Sequence, residues 1–366
     1  MAYPTGELSV DLRAITDNFR YIQGCLIAGA ECGAVVKADA YGLGVERIAP
    51  RIYETGCRKF FVANLKEAIK LRSLVGLDAQ IFVLSGCIRG AESEFIARGF
   101  IPVLVSAEML SRWVAAGGGK VSAALKVNTG MGRLGIELRE LEQLIDENQS
   151  LLKRANITYL MSHFACADQA DHTLTAMQQQ RFALLLERFR GIGLTPKATL
   201  ANSGGIFRSD AYHYDLVRPG IALFGGNPGV TINPMRAVVG LTLPVIQVRD
   251  LPVGDCVGYG ATRAFSTQRK IAIVAGGYAD GMMRALSNRG WGFVQGAKVP
   301  IVGRISMDST LFDISDIANP SDVVEGDGIE VLGSNVLIDD MAMAADTISY
   351  EVLTSIGERY QRSYIA

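Results

Sequence analysis

Eight short apolar runs, separated by amphipathic segments, constrain what this chain can fold into more than any other feature. They are GAVVKA (33–38), KFFVAN (59–64), QIFVLS (80–85), IPVLVS (101–106), SAALKV (122–127), TYLMSH (158–163), KATLANS (197–203) and DLVRPGIALFG (215–225). Short runs rich in Val, Ile and Phe read as strands buried on both faces. Between them, Phe182, Leu185, Leu186 and Phe189 fall at i, i+3, i+4 and i+7, and Leu141, Leu144, Ile145 and Asn148 keep that spacing with three apolar members. Each set marks one apolar stripe of a helix. Eight strand–helix units over roughly 200 residues predict a closed (β/α)8 barrel, with an open doubly wound sheet as the competitor.

After about residue 235 the pattern changes. PVIQVRDL, KIAIVAGGY, GFVQGAKVPIVGRI and DGIEVLG carry alternation between Gly, Pro and Asp turns. That predicts a mostly β second domain, with a helix within Met341–Tyr360. The expected class is α/β: an N-terminal barrel over 11–235, then a C-terminal β-rich domain over 236–366. A length of 366 residues suits two domains.

Charge and cysteine usage exclude several functions. Lys+Arg number 36 against 37 Asp+Glu, with no basic block, which argues against nucleic-acid or polybasic membrane-surface binding. No apolar run is long enough to span a bilayer, and the opening MAYPTGELSVDLRAITDNF has no secretory apolar core. Six irregularly spaced cysteines without a CxxC pair read as reduced thiols, so a cytoplasmic location is expected. Three histidines, His163, His172 and His213, leave little for a metal site, and none is expected.

Barrel chemistry gathers at the C-terminal ends of the strands. Lys37 ends the first strand, Lys126 stands in the fifth and leads to Arg133, Ser162-His163 end the sixth, Asn202-Ser203-Gly204-Gly205 end the seventh, and Arg218-Pro219-Gly220-Ile221 follow in the eighth. Taken singly, a strand-end lysine is usually solvated, an arginine usually a salt-bridge partner, and SGG usually a turn. Lys37 differs because it follows Ala-Val-Val in a buried run, where desolvation lowers an amine's pKa and makes it nucleophilic. Ser203-Gly204-Gly205 at a helix start, with Gly220 beside it, suits a phosphate.

AVVKADAYGLG resembles the pyridoxal-phosphate lysine motif of alanine racemases. KVNTGMGRLG, SHFACAD, LANSGG, VRPGIALFG, VGYGATRAF, GGYADGMMR, GRISMD and ISYEV follow in the family's order, from residue 34 to 352. The resemblance implies a barrel plus β domain, with residues 1–10 pairing with the latter. It implies pyridoxal 5'-phosphate held covalently by Lys37, with Arg218 facing the pyridine nitrogen and His163 against the ring. Tyr41, Ser203, the Gly220–Ile221 backbone and Tyr350 would hold the phosphate. Tyr259 would be the second base, donated by the partner subunit of a homodimer. Arg133 would grip the carboxylate of an amino-acid substrate, helped by the Met307 backbone. Lys126 matches a position often carbamylated in the family, the alternative being a lysine pointing at solvent. Tyr278 and Tyr350 would narrow the entrance, with Asp308 in support. The chain departs from the family at Leu43, Asn128 and Ser306, where His, Asp and Cys are frequent.

The implied reaction is two-base interconversion of L- and D-alanine, supplying D-alanine for peptidoglycan, with Lys37 on one face and Tyr259 on the other. The rivals are a broader amino-acid (serine) racemase, a decarboxylase, a non-catalytic pyridoxal-phosphate binding protein and a metal-dependent hydrolase. Arg218 argues against the decarboxylase, whose relatives place an acid there, and the domain carrying Tyr259 argues against a pure carrier.

Overall fold

The computed structural model describes residues 6–366. Seven strands, Ala34–Val35, Lys59–Val62, Gln80–Val83, Ile101–Leu104, Ala123–Asn128, Ile157–Met161 and Lys197–Thr199, lie side by side in chain order and run parallel. Lys59–Val62 and Ile101–Leu104 are buried at every position, which is why they read as unbroken runs rather than alternating ones. The eighth strand, Leu216–Val217, pairs in parallel with Glu31–Cys32, just before the first. On its other side, Asn202 bridges Arg218 and the Asp215 N–H donates to the Ala198 carbonyl. The sheet therefore meets itself, as the eight runs predict, and closure removes the exposed edges.

The helices that wrap this ring follow the stripes read from the sequence. Helix Thr173–Gly191 buries Phe182, Leu185, Leu186 and Phe189. Helix Leu138–Glu147 buries Leu141 and Ile145 and stops at Asn148. The side chain of Asn148 then accepts from Leu151 N at 3.3 Å to cap the next helix, Gln149–Arg154, which accounts for the polar member of that set.

The second domain is built on the long strand Val239–Leu251, whose residues alternate buried and half-buried through Val245. It pairs antiparallel with Glu7–Asp11, Gly328–Leu332 and Arg269–Ala275. Glu7–Asp11 also pairs in parallel with the final strand Gln361–Ile365. Of the segment 1–10 expected in this sheet, residues 1–5 lie outside the described residues. Asp11 then caps the first barrel helix, Leu12–Gly24, accepting from Ala14 N at 2.8 Å. Helices Ile338–Ala344 and Ser349–Thr354 lie within the Met341–Tyr360 region or at its border and help wall the barrel mouth. One apolar core runs through both sheets, from Phe60, Phe61 and Phe82 to Leu243, Val274 and Phe312. Among the described residues no helix is long and apolar enough to cross a membrane.

Candidate active site

The backbone after Lys37 winds the wrong way for L-residues. Ala38, Asp39, Ala40 and Tyr41 have φ of 52, 54, 54 and 59°, a left-handed conformation that costs roughly 1–2 kcal/mol per non-glycine residue. This turn aims Tyr41 into the mouth of the barrel, its ring 4.8 Å from Phe224 and 5.8 Å from Tyr350. The amine of Lys37 enters a cavity of about 1040 Å³. Burial, then the charge of Arg133, lowers its pKa from the usual lysine value, the direction a nucleophilic amine needs.

Three further cations line the same cavity: Lys126, Arg133 and Arg218. Lys126 is only 6% exposed, so the solvent-facing alternative does not apply; its side chain stays inside because its strand is buried on both faces. Burial first, then Arg218, Arg133 and Lys37, lowers its pKa to about 8. Arg218 is 4% exposed, and its partners are all neutral: the carbonyls of Ser162 at 2.6 Å and Leu200 at 3.2 Å, the Thr199 hydroxyl, and Nδ1 of His163 at 3.2 Å. Among the described residues it therefore has no carboxylate partner. Burial lowers its pKa to about 9, below the value above 12 expected for a solvated guanidinium, yet high enough to keep it protonated at neutral pH.

His163 follows from that neighbour. A guanidinium can only donate, so Nδ1 accepts and the ring proton of a neutral imidazole resides on Nε2. Burial and the charge of Arg218 push the His163 pKa well below normal, which keeps the ring neutral.

At the other end, Asn202 accepts from Gly205 N at 3.0 Å and starts the short helix Ser203–Arg208. The Ser203 hydroxyl accepts from Gly220 N at 3.0 Å and Ala222 N at 3.3 Å. A Cβ on Gly220 would overlap the Tyr41 hydroxyl, so only glycine lets that phenol approach the backbone here. Two hydroxyls and several backbone N–H groups thus converge beside Ile221 and Tyr350, which also line the cavity. Burial and Asp168 push the Tyr350 phenol up to about 12, so it stays a hydrogen-bond donor. Three cations, a nucleophilic amine and this cradle suit a flat ring bearing both an aldehyde and a phosphate.

Tyr259, Tyr278, Met307 and Asp308 do not line this cavity. They cluster instead on the second domain, with Tyr259 71% exposed. Tyr278 N donates to the Ser306 carbonyl and Ala279 N to that of Met307, both at 3.0 Å. Asp308 pairs with Arg359 at 2.8 Å, and Arg359 also clasps Asp280, which caps the Tyr278 turn by accepting from Gly277 N. Gly258, at φ 72°, packs its backbone against Arg304, which leads into that loop.

The departures are accommodated locally. Asn128 accepts from Gly130 N at 3.1 Å and Gly132 N at 3.0 Å and donates to Glu137 at 2.7 Å; an ionised aspartate could not make the last bond. Leu43 is fully buried and faces the core. Ser306 takes part through its backbone, accepting from Tyr278 N and donating to the Ser309 carbonyl.

Several site residues carry no sequence signal. Thr199 supports Arg218 from inside an ordinary strand. Gln178 donates to the His163 carbonyl at 2.9 Å and Arg181 to the Thr129 carbonyl at 2.9 Å, so one helix ties the loops of His163 and Arg133 together. Gln178 lies four residues before Phe182 and Arg181 four before Leu185, and that spacing along the apolar stripe is the one hint of it.

Comparison with known proteins agrees along the whole chain. Residues 10–228 match the family described as Alanine racemase, N-terminal domain, and residues 238–364 match Alanine racemase, C-terminal domain. The chain is 45% identical to the alanine racemase of Rhodospirillum rubrum, across 98% of this chain and 96% of that one. It is 42% identical to the catabolic alanine racemase of Agrobacterium fabrum, across 99% and 92%. Among solved structures, the alanine racemase of Bartonella henselae with covalently bound pyridoxal phosphate matches at a TM-score of 0.92 and 39% identity, covering 99% of both chains. The biosynthetic alanine racemase of Pseudomonas aeruginosa matches at 0.91 and 32%, covering 99% and 100%. With both domains matched, and a barrel whose first strand delivers a desolvated lysine to a cationic cavity, this chain belongs to the alanine racemase family.

Proposed function

We propose that this chain interconverts L- and D-alanine with pyridoxal 5'-phosphate held at Lys37, as a cytoplasmic homodimer whose D-alanine serves peptidoglycan synthesis. The observation that carries this reading is the pairing of Lys37 with Arg218 in one cavity, the guanidinium having only neutral partners. A carboxylate in that place would favour a protonated ring nitrogen and stronger electron withdrawal; Arg218, which would donate a hydrogen bond without giving up its proton, would leave the withdrawal weaker. When bound, the cofactor withdraws electrons from the substrate α-carbon and makes its proton labile.

The chain's own groups then move that proton. Lys37, kept largely from water, takes or returns it on one face. The phenol of Tyr259 serves the other face, contributed by the second copy, which its exposure on the second domain supports. A phenol with a reference pKa near ~10 needs help to act as a base near pH 7. Nε2–H of His163 supplies a donor for its oxygen, backed by the charge of Arg218. Arg133 binds the substrate carboxylate, with the Met307 backbone of the second copy beside it. Lys126, as a carbamate, would hold the Arg133 fork in place. Tyr41, Ser203, Gly220, Ile221 and Tyr350 hold the phosphate, Tyr278 of the second copy narrows the entrance, and Asp308 braces that loop through Arg359.

The test is an absorbance scan before and after borohydride, peptide mapping of the reduced adduct, and assays of both enantiomers of alanine and serine. A visible band lost on reduction, an adduct on Lys37 and preference for alanine are expected. A colourless protein that stays so with added cofactor and racemises nothing would refute the proposal. Comparable rates on serine would replace it with the broader racemase.

A further inference from the structure

The left-handed turn behind Lys37 needs an external anchor, and helix Leu65–Arg72 provides one. Asn64 caps that helix, accepting from Glu67 N at 3.1 Å. This leaves the Glu67 carboxylate free to reach out of the first turn. One of its oxygens accepts from Ala38 N at 3.0 Å and the other from Ala63 N at 2.7 Å. Ala38 directly follows Lys37, and Ala63 follows the neighbouring strand Lys59–Val62. A single carboxylate therefore clamps the ends of two adjacent strands where the backbone turns left-handed. Three residues on, and on the same helix face, Lys70 reaches Asp39 of the turn at 3.3 Å. Asp39 in turn accepts from Val45 N at 3.1 Å.

We propose that Glu67 is a positioning residue for the reaction: it fixes the turn that presents Lys37 and sets a negative charge against an otherwise cationic surround. This deepens the racemase reading and rests on it. The groups acting on the Lys37 amine are Arg133, Lys126 and His163 across the cavity, with Arg218 behind the last two, and Glu67 on its own side. Burial and Arg133 push the amine toward the neutral form, and Glu67 opposes them. A lysine that must both form the cofactor bond and recapture a carbon-bound proton needs intermediate basicity. Glu67 keeps its basicity from falling too far.

The sign is fixed by charge. Removing the anion disfavours the ammonium, so the neutral amine persists to lower pH. Glu67→Gln keeps the shape and one acceptor but loses the charge and turns an N–H toward one of the two amides. In full-length protein stripped of cofactor, the rate of pyridoxal 5'-phosphate capture against pH should shift its acid limb down by roughly half to one unit. Hydrogen exchange at the Ala38 and Ala63 amides should quicken about tenfold or more. Glu67→Asp, which keeps the charge at shorter reach, should hold the limb near wild type while exchange still quickens. An acid limb unmoved in Glu67→Gln, or unchanged exchange at both amides, overturns the proposal. The two readings fail separately. Wild-type protein that captures the cofactor at Lys37 but racemises nothing defeats the racemase reading alone, and the exchange arm needs no cofactor.

Discussion

Lys126 is the residue whose chemistry depends most on its setting. Only a neutral amine attacks carbon dioxide, forming the N–C bond and releasing a proton, and a pKa lowered to about 8 by burial and three cations makes half of this amine neutral near that pH. An exposed lysine near ~10.4 would be almost wholly charged there. With labelled bicarbonate, a carbamate carbon signal at Lys126 should grow between pH 7 and 9 and vanish in Lys126→Met. That variant should keep its cofactor but show an alanine KM raised about tenfold, because Arg133 loses the partner that holds its fork. No carbamate at any pH would refute this role for Lys126. Lys126 was legible as a site residue because a lysine in a buried strand is conspicuous. Thr199 and Glu67 were not: a threonine in a strand and a glutamate in a helix are ordinary until their partners, Arg218 and the Ala38 and Ala63 amides, are brought to them.

At the scale of elements, the strand runs and helical stripes could be read because burial repeats with the period of the element. The turn from Ala38 to Tyr41 could not. Its sequence, Ala-Asp-Ala-Tyr, has no glycine until Gly42, so nothing local favours φ near 55°. Contacts from helix Leu65–Arg72, the packing of Tyr41 on Phe224, and the bonds that Asp39 accepts from Val45 N and Gly44 N hold it there. The phosphate cradle depends on the same turn. In Gly220→Ala the new methyl would overlap the Tyr41 hydroxyl, forcing the ring or the backbone to shift. Overpacking of this kind costs about 1–3 kcal/mol. Equilibrium titration should show cofactor binding weakened roughly 10–100-fold, with the thermal midpoint lowered modestly. Adding Tyr41→Phe, which removes the overlapping oxygen together with a phosphate contact, should recover part of the thermal midpoint but not of the cofactor binding; no recovery of the midpoint would mean that the clash lies elsewhere.

For the whole molecule, the decisive fact is the separation of two groups of residues. Lys37, Lys126, Arg133, His163 and Arg218 share one cavity, whereas Tyr259, Tyr278 and Met307 stand exposed on the second domain. If each site joins the cavity of one copy to the exposed cluster of another, two inactive variants can complement. Mixed dimers of Lys37→Ala and Tyr259→Phe contain one site with both groups intact and one with neither. Half of randomly exchanged dimers are mixed, so activity should return to about a quarter of wild type. Failure to complement, with subunit exchange shown by mass, would place both bases within one chain.

The sequence by itself determined the eight-stranded barrel, the β-rich second domain and the order of the chemical groups along the strand ends. These depend on side-chain period and on which residue ends each strand, both properties of neighbouring positions. Tertiary structure alone decided that Arg218 has neutral partners, that Lys126 is inside, that Glu67 clamps a left-handed turn and that Tyr259 stands exposed outside its own chain's cavity. Those depend on which distant segments meet, because a pKa or a strained φ is set by through-space neighbours rather than by the residues on either side.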